Sequence, residues 1–253
     1  MPRLPQNRSK SGIYHIIMRG INRQSIFEDE EDSEKFIRTL EKYKGVCGYE
    51  LYAYCLMGNH LHLLLREGKE SLEKVMRRIC ASYVLWYNRK YERVGYLFQD
   101  RYKSEPVEDD GYFLTVIRYI YQNPVKAGLV ASVEKYRWSN YNDYVDRNKM
   151  ADADFVLDMF DKDRGKAVRS FMEYISKTND DVCLEISEKR QITDEDARNM
   201  IKKLCSINNA TDMQKLDTQT RKTFLKELRA KHDLSIRQIE RVTGINRGII
   251  SKA

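Results

Sequence analysis

The 253-residue chain has 33% charged and 42% hydrophobic side chains, four Pro and 17 Tyr; this excludes low-complexity and disordered classes and predicts one large domain, or one of ~150 residues plus a smaller one. No run approaches the ~18 apolar residues of a membrane span, and the basic "MPRLPQNRSK" lacks an apolar signal stretch, so a soluble, cytoplasmic protein with no membrane partner is expected. The net charge of +7 is uneven, with 25 Lys and Arg against 20 Asp and Glu over 1–150, 11 against 15 over 151–220 and 9 against 3 over 221–253, which points to polyanion contact at both ends.

In chain order, "GIYHIIMRG" (12–20) reads as a strand, rich in Ile and bounded by Gly. "DEEDSEKFIRTLEKYKGVCG" has acidic first turns and Phe36, Ile37, Leu40 and Tyr43 at helical spacing, a helix closing between Gly45 and Gly48. "YELYAYCLM" is a second strand, and Gly58-Asn59 turns it into "HLHLLLRE". "SLEKVMRRICASYVLWYNRKYE" is a long amphipathic helix with Ser71 as N-cap, and "GYLFQDRYKSEPV" returns as a strand broken by Pro106. The order β-α-β-β-α-β predicts an α+β fold, a ferredoxin-like antiparallel sheet with both helices on one face and the other face available. "DDGYFLTVIRYIYQNP" adds a helix that Asp109 or Asp110 caps and Pro124 stops.

Residues 151–220 are helical, ragged and acidic, with no glycine-rich phosphate loop, and read as connecting helices. "LSIRQIERVTGINRGIISKA" has Ser235 as a cap, apolar Ile236, Ile239 and Val242, a turn at Gly244 and a second short helix, the spacing of an all-α helix-turn-helix. The expected divisions are thus 1–147, a connecting region 148–220 and a helix-turn-helix segment 221–253. Cys47, Cys55, Cys80, Cys183 and Cys205 show no C-x-x-C spacing and read as reduced, mostly buried thiols.

In a strand, residues two apart share a face, so His60, His62 and Leu64 point one way while Leu61, Leu63 and Leu65 bury on the other. Two neutral imidazoles about 7 Å apart suit an open, catalytic divalent cation better than a closed structural zinc site. The competing reading is a pair of histidines hydrogen-bonded on a sheet surface. On the added helix Phe113, Val116, Ile117 and Ile120 form the apolar stripe; Tyr119 flanks it with Tyr112 and Asn123, and Tyr121 lies on the other flank. Tyr119 and Asn123, four apart, present a phenol and an amide toward one point. Alternatively, Tyr119 packs at the helix edge and Asn123 only ends the helix before Pro124.

"LMGNHLHLLL" resembles the His-hydrophobic-His signature of the HUH endonuclease superfamily, specifically its single-tyrosine transposases, which usually have Pro at the position of Gly58. "YHIIMRGINRQSIF" (14–27), "LFQDRYKS" (97–104), "RYIYQNPVKAGLV" (118–130) and "WSNY" (138–141) are similar to the REP-associated tyrosine transposase branch, over residues 12 to about 145. The resemblance implies a metal-dependent nuclease and strand transferase acting on single-stranded or hairpin DNA. It assigns His60 and His62 as ligands of Mg²⁺ or Mn²⁺, Tyr119 as the nucleophile that becomes a 5′-phosphotyrosine, and Asn123 as third ligand, with Gln122 one residue away. A nucleoid-associated bacterial protein, monomer or homodimer, follows from it.

For DNA, Arg19, Arg23, Arg101 and Lys103 on or beside strands are candidate phosphate contacts, and Tyr14, Tyr102 and Trp138 candidate stacking platforms. Asn246 and Arg247 begin the second helix of the C-terminal pair, where duplex bases are contacted in that motif. Two other functions compete: a non-catalytic regulator that reads duplex DNA through the C-terminal segment, and a site for RNA.

Overall fold

The computed structural model describes residues 7–146, 150–185, 193–230, 232 and 234–253. The chain divides into two compact units, 1–186 and 187–253. From sequence the divisions were expected after 147 and 220.

The first unit is α+β. Strand β1 (Ile13–Arg19) leads through a 3-10 turn to helix α1 (Glu30–Cys47), strands β2 (Glu50–Met57) and β3 (His60–Arg66), helix α2 (Leu72–Lys90), the short β4 (Lys103–Pro106) and helix α3 (Asp110–Lys126). The sheet is antiparallel in the order β2-β3-β1-β4. Helix α1 starts at a reciprocal cap, the Asp29 side chain accepting from Asp32 N and that of Asp32 from the Asp29 backbone, and ends at Gly48. Lys90, at the end of α2, ties back to Asp29, Glu31 and the buried Asp32.

Strand alternation divides the apolar residues between two cores. Ile16, Leu61, Leu63 and Leu65 meet Phe36, Leu40, Val75, Met76 and Ile79 of α1 and α2, each fully buried side chain contributing roughly 1.5–3 kcal/mol. On the other face Ala53, Cys55 and Leu64 lie under Phe113, Val116, Ile117 and Ile120 of α3, the stripe expected from sequence. A bulge between Leu51 and Ala53 lets Tyr52 join Ala53 on the α3 side.

Three local expectations are corrected. The strand expected over 95–107 pairs only at Lys103–Pro106, because β1 offers it partners only from Tyr14 to Ile17; earlier residues touch the sheet at the single bridge Gly20–Phe98. Pro124 does not stop α3, which runs to Lys126. A proline this near the end removes only one ladder bond, and Ala127 N to Asn123 O and Leu129 N to Pro124 O close the turn. Nor does the second sheet face stay open. After the short helix α4 (Asp143–Asp146), residues 150–185, expected to connect, include helices α5 (Ala153–Leu157) and α6 (Arg164–Ser176), and insert Val156, Leu157, Ala167, Phe171 and Ile175 into the α3 core.

The second unit is helical: α7 (Asp194–Cys205), α8 (Thr218–Ala230), α9 (Ile236–Thr243) and α10 (Arg247–Lys252) enclose Ile201, Leu225, Leu228, Ile239 and Ile250. Among the described residues no helix is long and apolar enough to cross a membrane.

Two glycines carry opposite expectations. Gly244, between α9 and α10, has φ +71°, and a Cβ there would meet Gln214 Nε2 at 2.5 Å. Gly58, in the β2–β3 turn, has no positive φ and open space around a Cβ. Gly244→Ala is expected to destabilise the second unit by ~1–2 kcal/mol, and Gly58→Ala to stabilise the first by ~0.4–1 kcal/mol. Urea unfolding of both variants checks the signs; a gain for Gly244→Ala would contradict the left-handed turn.

Candidate active site

The site lies between β3, β1 and α3. The turn is held by its own carbonyls: Gly58 O accepts from Ile26 N at 2.8 Å and Asn59 O from Gly20 N at 2.9 Å. Beyond it, period-two alternation directs His60 and His62 to the α3 side, ring centroids 5.3 Å apart. Tyr119, on the flank of α3, lies edge-on to His62 at 5.7 Å. The three side chains assigned to catalysis therefore converge. In the β1–β3 register Ile17 faces His62 and His15 faces Leu64, so His15, two residues from Ile17, becomes a diagonal neighbour of His62.

A hydrogen-bonded series runs inward from these rings. His62 Nδ1 meets His15 Nε2 at 3.1 Å, and His15 Nδ1 meets Glu105 Oε1 at 2.9 Å. The same oxygen accepts from the Tyr112 hydroxyl at 2.8 Å and from Leu184 N at 3.0 Å. His60 Nδ1 meets Asn59 Oδ1 at 2.8 Å, so Asn59, expected only to shape the turn, orients a histidine. The Tyr119 hydroxyl donates to Glu185 Oε1 at 2.8 Å.

Burial sets the charge states. His62 is driven well below its ordinary value by desolvation and by His15 and His60. Burial, with the charge of Arg19 alongside, pushes His60 down to about 4. Burial also lowers His15, against the opposing pull of Glu105. Desolvation would raise Glu105, but bonds from His15, Tyr112 and Leu184 N outweigh it and hold the carboxyl below its ordinary range. Tyr119 is raised above its ordinary value of 10 by burial and then by Glu185, with the Asn123 amide pulling the other way. The resting site thus holds neutral imidazoles and a neutral phenol.

A stability consequence follows. An unfolded imidazole takes a proton near 6.5, whereas the folded His60 takes one only near 4. Between these values the unfolded state binds more protons, so stability falls as pH drops through that window. The metal-free protein is expected to show a lower urea midpoint at about pH 5 than at about pH 7.5, with a smaller difference in His60→Gln. An equal pH dependence in that variant would contradict a depressed His60.

The remaining assigned residues are dispersed. Gln122 is committed elsewhere: its amide nitrogen donates to Ile175 O and Lys177 O, and its oxygen accepts from Asn179. Asn123 is half-buried, and its nitrogen donates to Tyr119 O at 3.2 Å. Arg19 pairs with His60 in the register and has a buried Nε with no hydrogen-bond partner among the described residues. Arg23, Arg101 and Lys103 are exposed. Tyr14 is a core residue, 4% exposed, whose hydroxyl accepts from Ser9 N, so it offers no stacking platform; Tyr102 and Trp138 are half-buried against the α1–α2 core. In the second unit Asn246 caps α10 through Gly248 N, and Arg247 pairs with Glu240, so both side chains are engaged within that unit.

A divalent cation fits the donor chemistry in part. His60 and His62 each engage Nδ1 internally, leaving Nε2 on both. Among the described residues no three His, Cys, Asp or Glu side chains form a metal-holding group, so the rest of a coordination shell would come from an amide, phosphate or water.

Sequence reasoning missed His15, Glu105 and Glu185. His15 carried a signal, a single histidine in the otherwise apolar "GIYHIIMRG". Glu185 had none, since its contact with Tyr119 spans 66 positions.

Residues 8–123 match the IS200-like transposase family. A Haemophilus influenzae protein assigned as a REP-associated tyrosine transposase is 26% identical over 116 residues, 40% of this chain and 65% of that protein. The chain therefore spans just under two thirds of that relative's length. Among solved structures, a REP-associated tyrosine transposase bound to a REP hairpin superposes with a TM-score of 0.53 at 18% identity, over 75% of this chain and 98% of the other, a likeness of fold. The resemblance read from the sequence holds over this segment.

Proposed function

We propose, for a chain whose residues 8–123 match the IS200-like transposases, that it cleaves and rejoins single-stranded DNA at hairpin-associated sites through Tyr119. The observation carrying this reading is the convergence of His60, His62 and Tyr119 from two elements, with ring centroids 5.3 and 5.7 Å apart. In this reading the sheet is ferredoxin-like, with the chemistry between it and α3.

The Tyr119 oxygen attacks the scissile phosphorus, the bond to the 3′ oxygen breaks, and a 5′-phosphotyrosine and a 3′-hydroxyl result. Glu185, which accepts the phenol's hydrogen bond at 2.8 Å, would receive its proton, and the departing oxygen takes one from water. A 3′-hydroxyl from another strand reverses the step, and no nucleotide cofactor is needed. His60 and His62 would hold Mg²⁺ or Mn²⁺ through Nε2, with Asn123 as an oxygen donor; when bound, the cation supplies Lewis-acid stabilisation of charge on the phosphate. The commitment of Gln122 to α6 favours Asn123.

Arg19, whose buried Nε has no partner among the described residues and which lies opposite His60 in the register, would take a phosphate oxygen near the scissile bond, and exposed Arg23, Arg101 and Lys103 would track the strand. Contact of Tyr119 with histidines of its own chain supports a site complete in one chain. The α9–Gly244–α10 pair reads as a helix-turn-helix able to meet duplex DNA, provided Asn246 and Arg247 exchange their internal bonds for base contacts.

The test is incubation with a library of single-stranded hairpins plus Mg²⁺ or Mn²⁺, with recovery of denaturant-resistant adducts. Adducts mapping to Tyr119 support the reading. Tight duplex binding with no adduct from any hairpin would instead indicate a non-catalytic regulator.

A further inference from the structure

We infer that His15 and Glu105 are positioning residues that set which nitrogen of His62 carries its proton. The inference rests on the proposed role of His62 Nε2 in cation binding and adds two residues to it. Glu105 Oε1 already accepts from the Tyr112 hydroxyl and from Leu184 N, as an ionised carboxylate does. At 2.9 Å His15 Nδ1 must therefore be the donor. A neutral His15 then has only a lone pair at Nε2, so at 3.1 Å His62 Nδ1 must donate to it. That leaves the lone pair of His62 on Nε2, the form a cation requires.

The geometry favours an orienting role over packing alone. His15 and His62 are 0% and 2% exposed, and in the alternative tautomer the lone pairs of His62 Nδ1 and His15 Nε2 would face each other at 3.1 Å with no proton between them, a contact whose unmatched polar atoms carry a substantial desolvation penalty. The series crosses three strands, Glu105 on β4, His15 on β1 and His62 on β3. The two rings lie edge to edge and nearly coplanar, with centroids 5.4 Å apart and planes inclined by 20°, so rotation of His62 would break the bond between them.

Nitrogen-15 spectra of the metal-free protein test this directly. Wild-type His62 is expected to be protonated at Nδ1 alone. In His15→Phe the Nδ1 proton loses its acceptor, so His62 shifts toward the Nε2–H form and Mn²⁺ alone binds ~10–100-fold more weakly, the range for loss of a partner behind a ligating histidine. Glu105→Gln keeps an acceptor oxygen for His15 and is expected to retain the Nδ1–H form, whereas Glu105→Ala releases it. A wild-type His62 carrying its proton on Nε2 overturns the inference without need of any variant. So does a His15→Phe protein with unchanged tautomer and Mn²⁺ affinity. Failure of Tyr119 to attach to any hairpin would remove the proposed function and leave the tautomer measurement standing; adducts together with an Nε2–H His62 would remove only the relay.

Discussion

Tyr119→Phe is expected to abolish covalent protein–DNA adducts and to lower hairpin cleavage by on the order of 10³-fold or more, because no other group replaces an attacking oxygen. Binding of the same oligonucleotide should stay within a few-fold. The fold should survive as well. The lost hydroxyl donates to Glu185, whose side chain is exposed and can rehydrate, so the stability change is about 1 kcal/mol or less. The ring, 5% exposed, keeps its edge-on contacts with His15 and His62. Denaturing gels and a melting curve on one preparation separate the two effects. Unchanged adduct yield would remove Tyr119 from the reaction and leave its position beside the histidines as packing.

His60→Ala is expected to reduce cleavage below about 1% of wild type, and chelator in excess to do the same to the unaltered protein. His60 is the better probe of the pair: it is half-buried at the strand end, whereas His62 is 2% exposed and tied to His15, so replacing His62 would mix structural damage with lost chemistry. Because His60 titrates near 4, no proton competes for its nitrogen at neutral pH, and cation dependence should be nearly flat from about pH 6 to 8. Full activity in excess chelator, or in His60→Ala without added cation, would refute metal assistance while leaving a tyrosine mechanism possible.

Together these experiments separate three roles that the geometry brings within a few ångströms. Tyr119→Phe reports the attacking group, His60→Ala the cation, and the His62 tautomer the scaffold behind it. A protein that loses adducts in the first two variants but shows no shift on replacing His15 would have the chemistry without the relay.

Much of the site was legible because its signals are local. The alternation of "HLHLLLRE" put both histidines on one face, Gly58-Asn59 marked the hairpin, and the stripe Phe113, Val116, Ile117 and Ile120 oriented Tyr119 toward that face. These are periods of two and 3.6, which a chain displays without reference to its neighbours. The ragged pattern of 150–185 concealed its role for the same reason. Short elements such as α5 give too few turns for a period, and Phe171 and Ile175 bury in a core whose α3 members lie about fifty positions away in the chain.

The sequence by itself determined the α+β alternation, the faces of the strands and of α3, and that His60 and His62 share one strand face. Only the tertiary structure decided that β1 lies between β3 and β4, which brings His15 between His62 and Glu105. It likewise brought Glu185 to Tyr119 and tied Gln122 to α6 rather than to the site. Strand order and cover are settled by how separated segments bury apolar surface against one another, and such long-range competition leaves no mark at any fixed spacing in the chain.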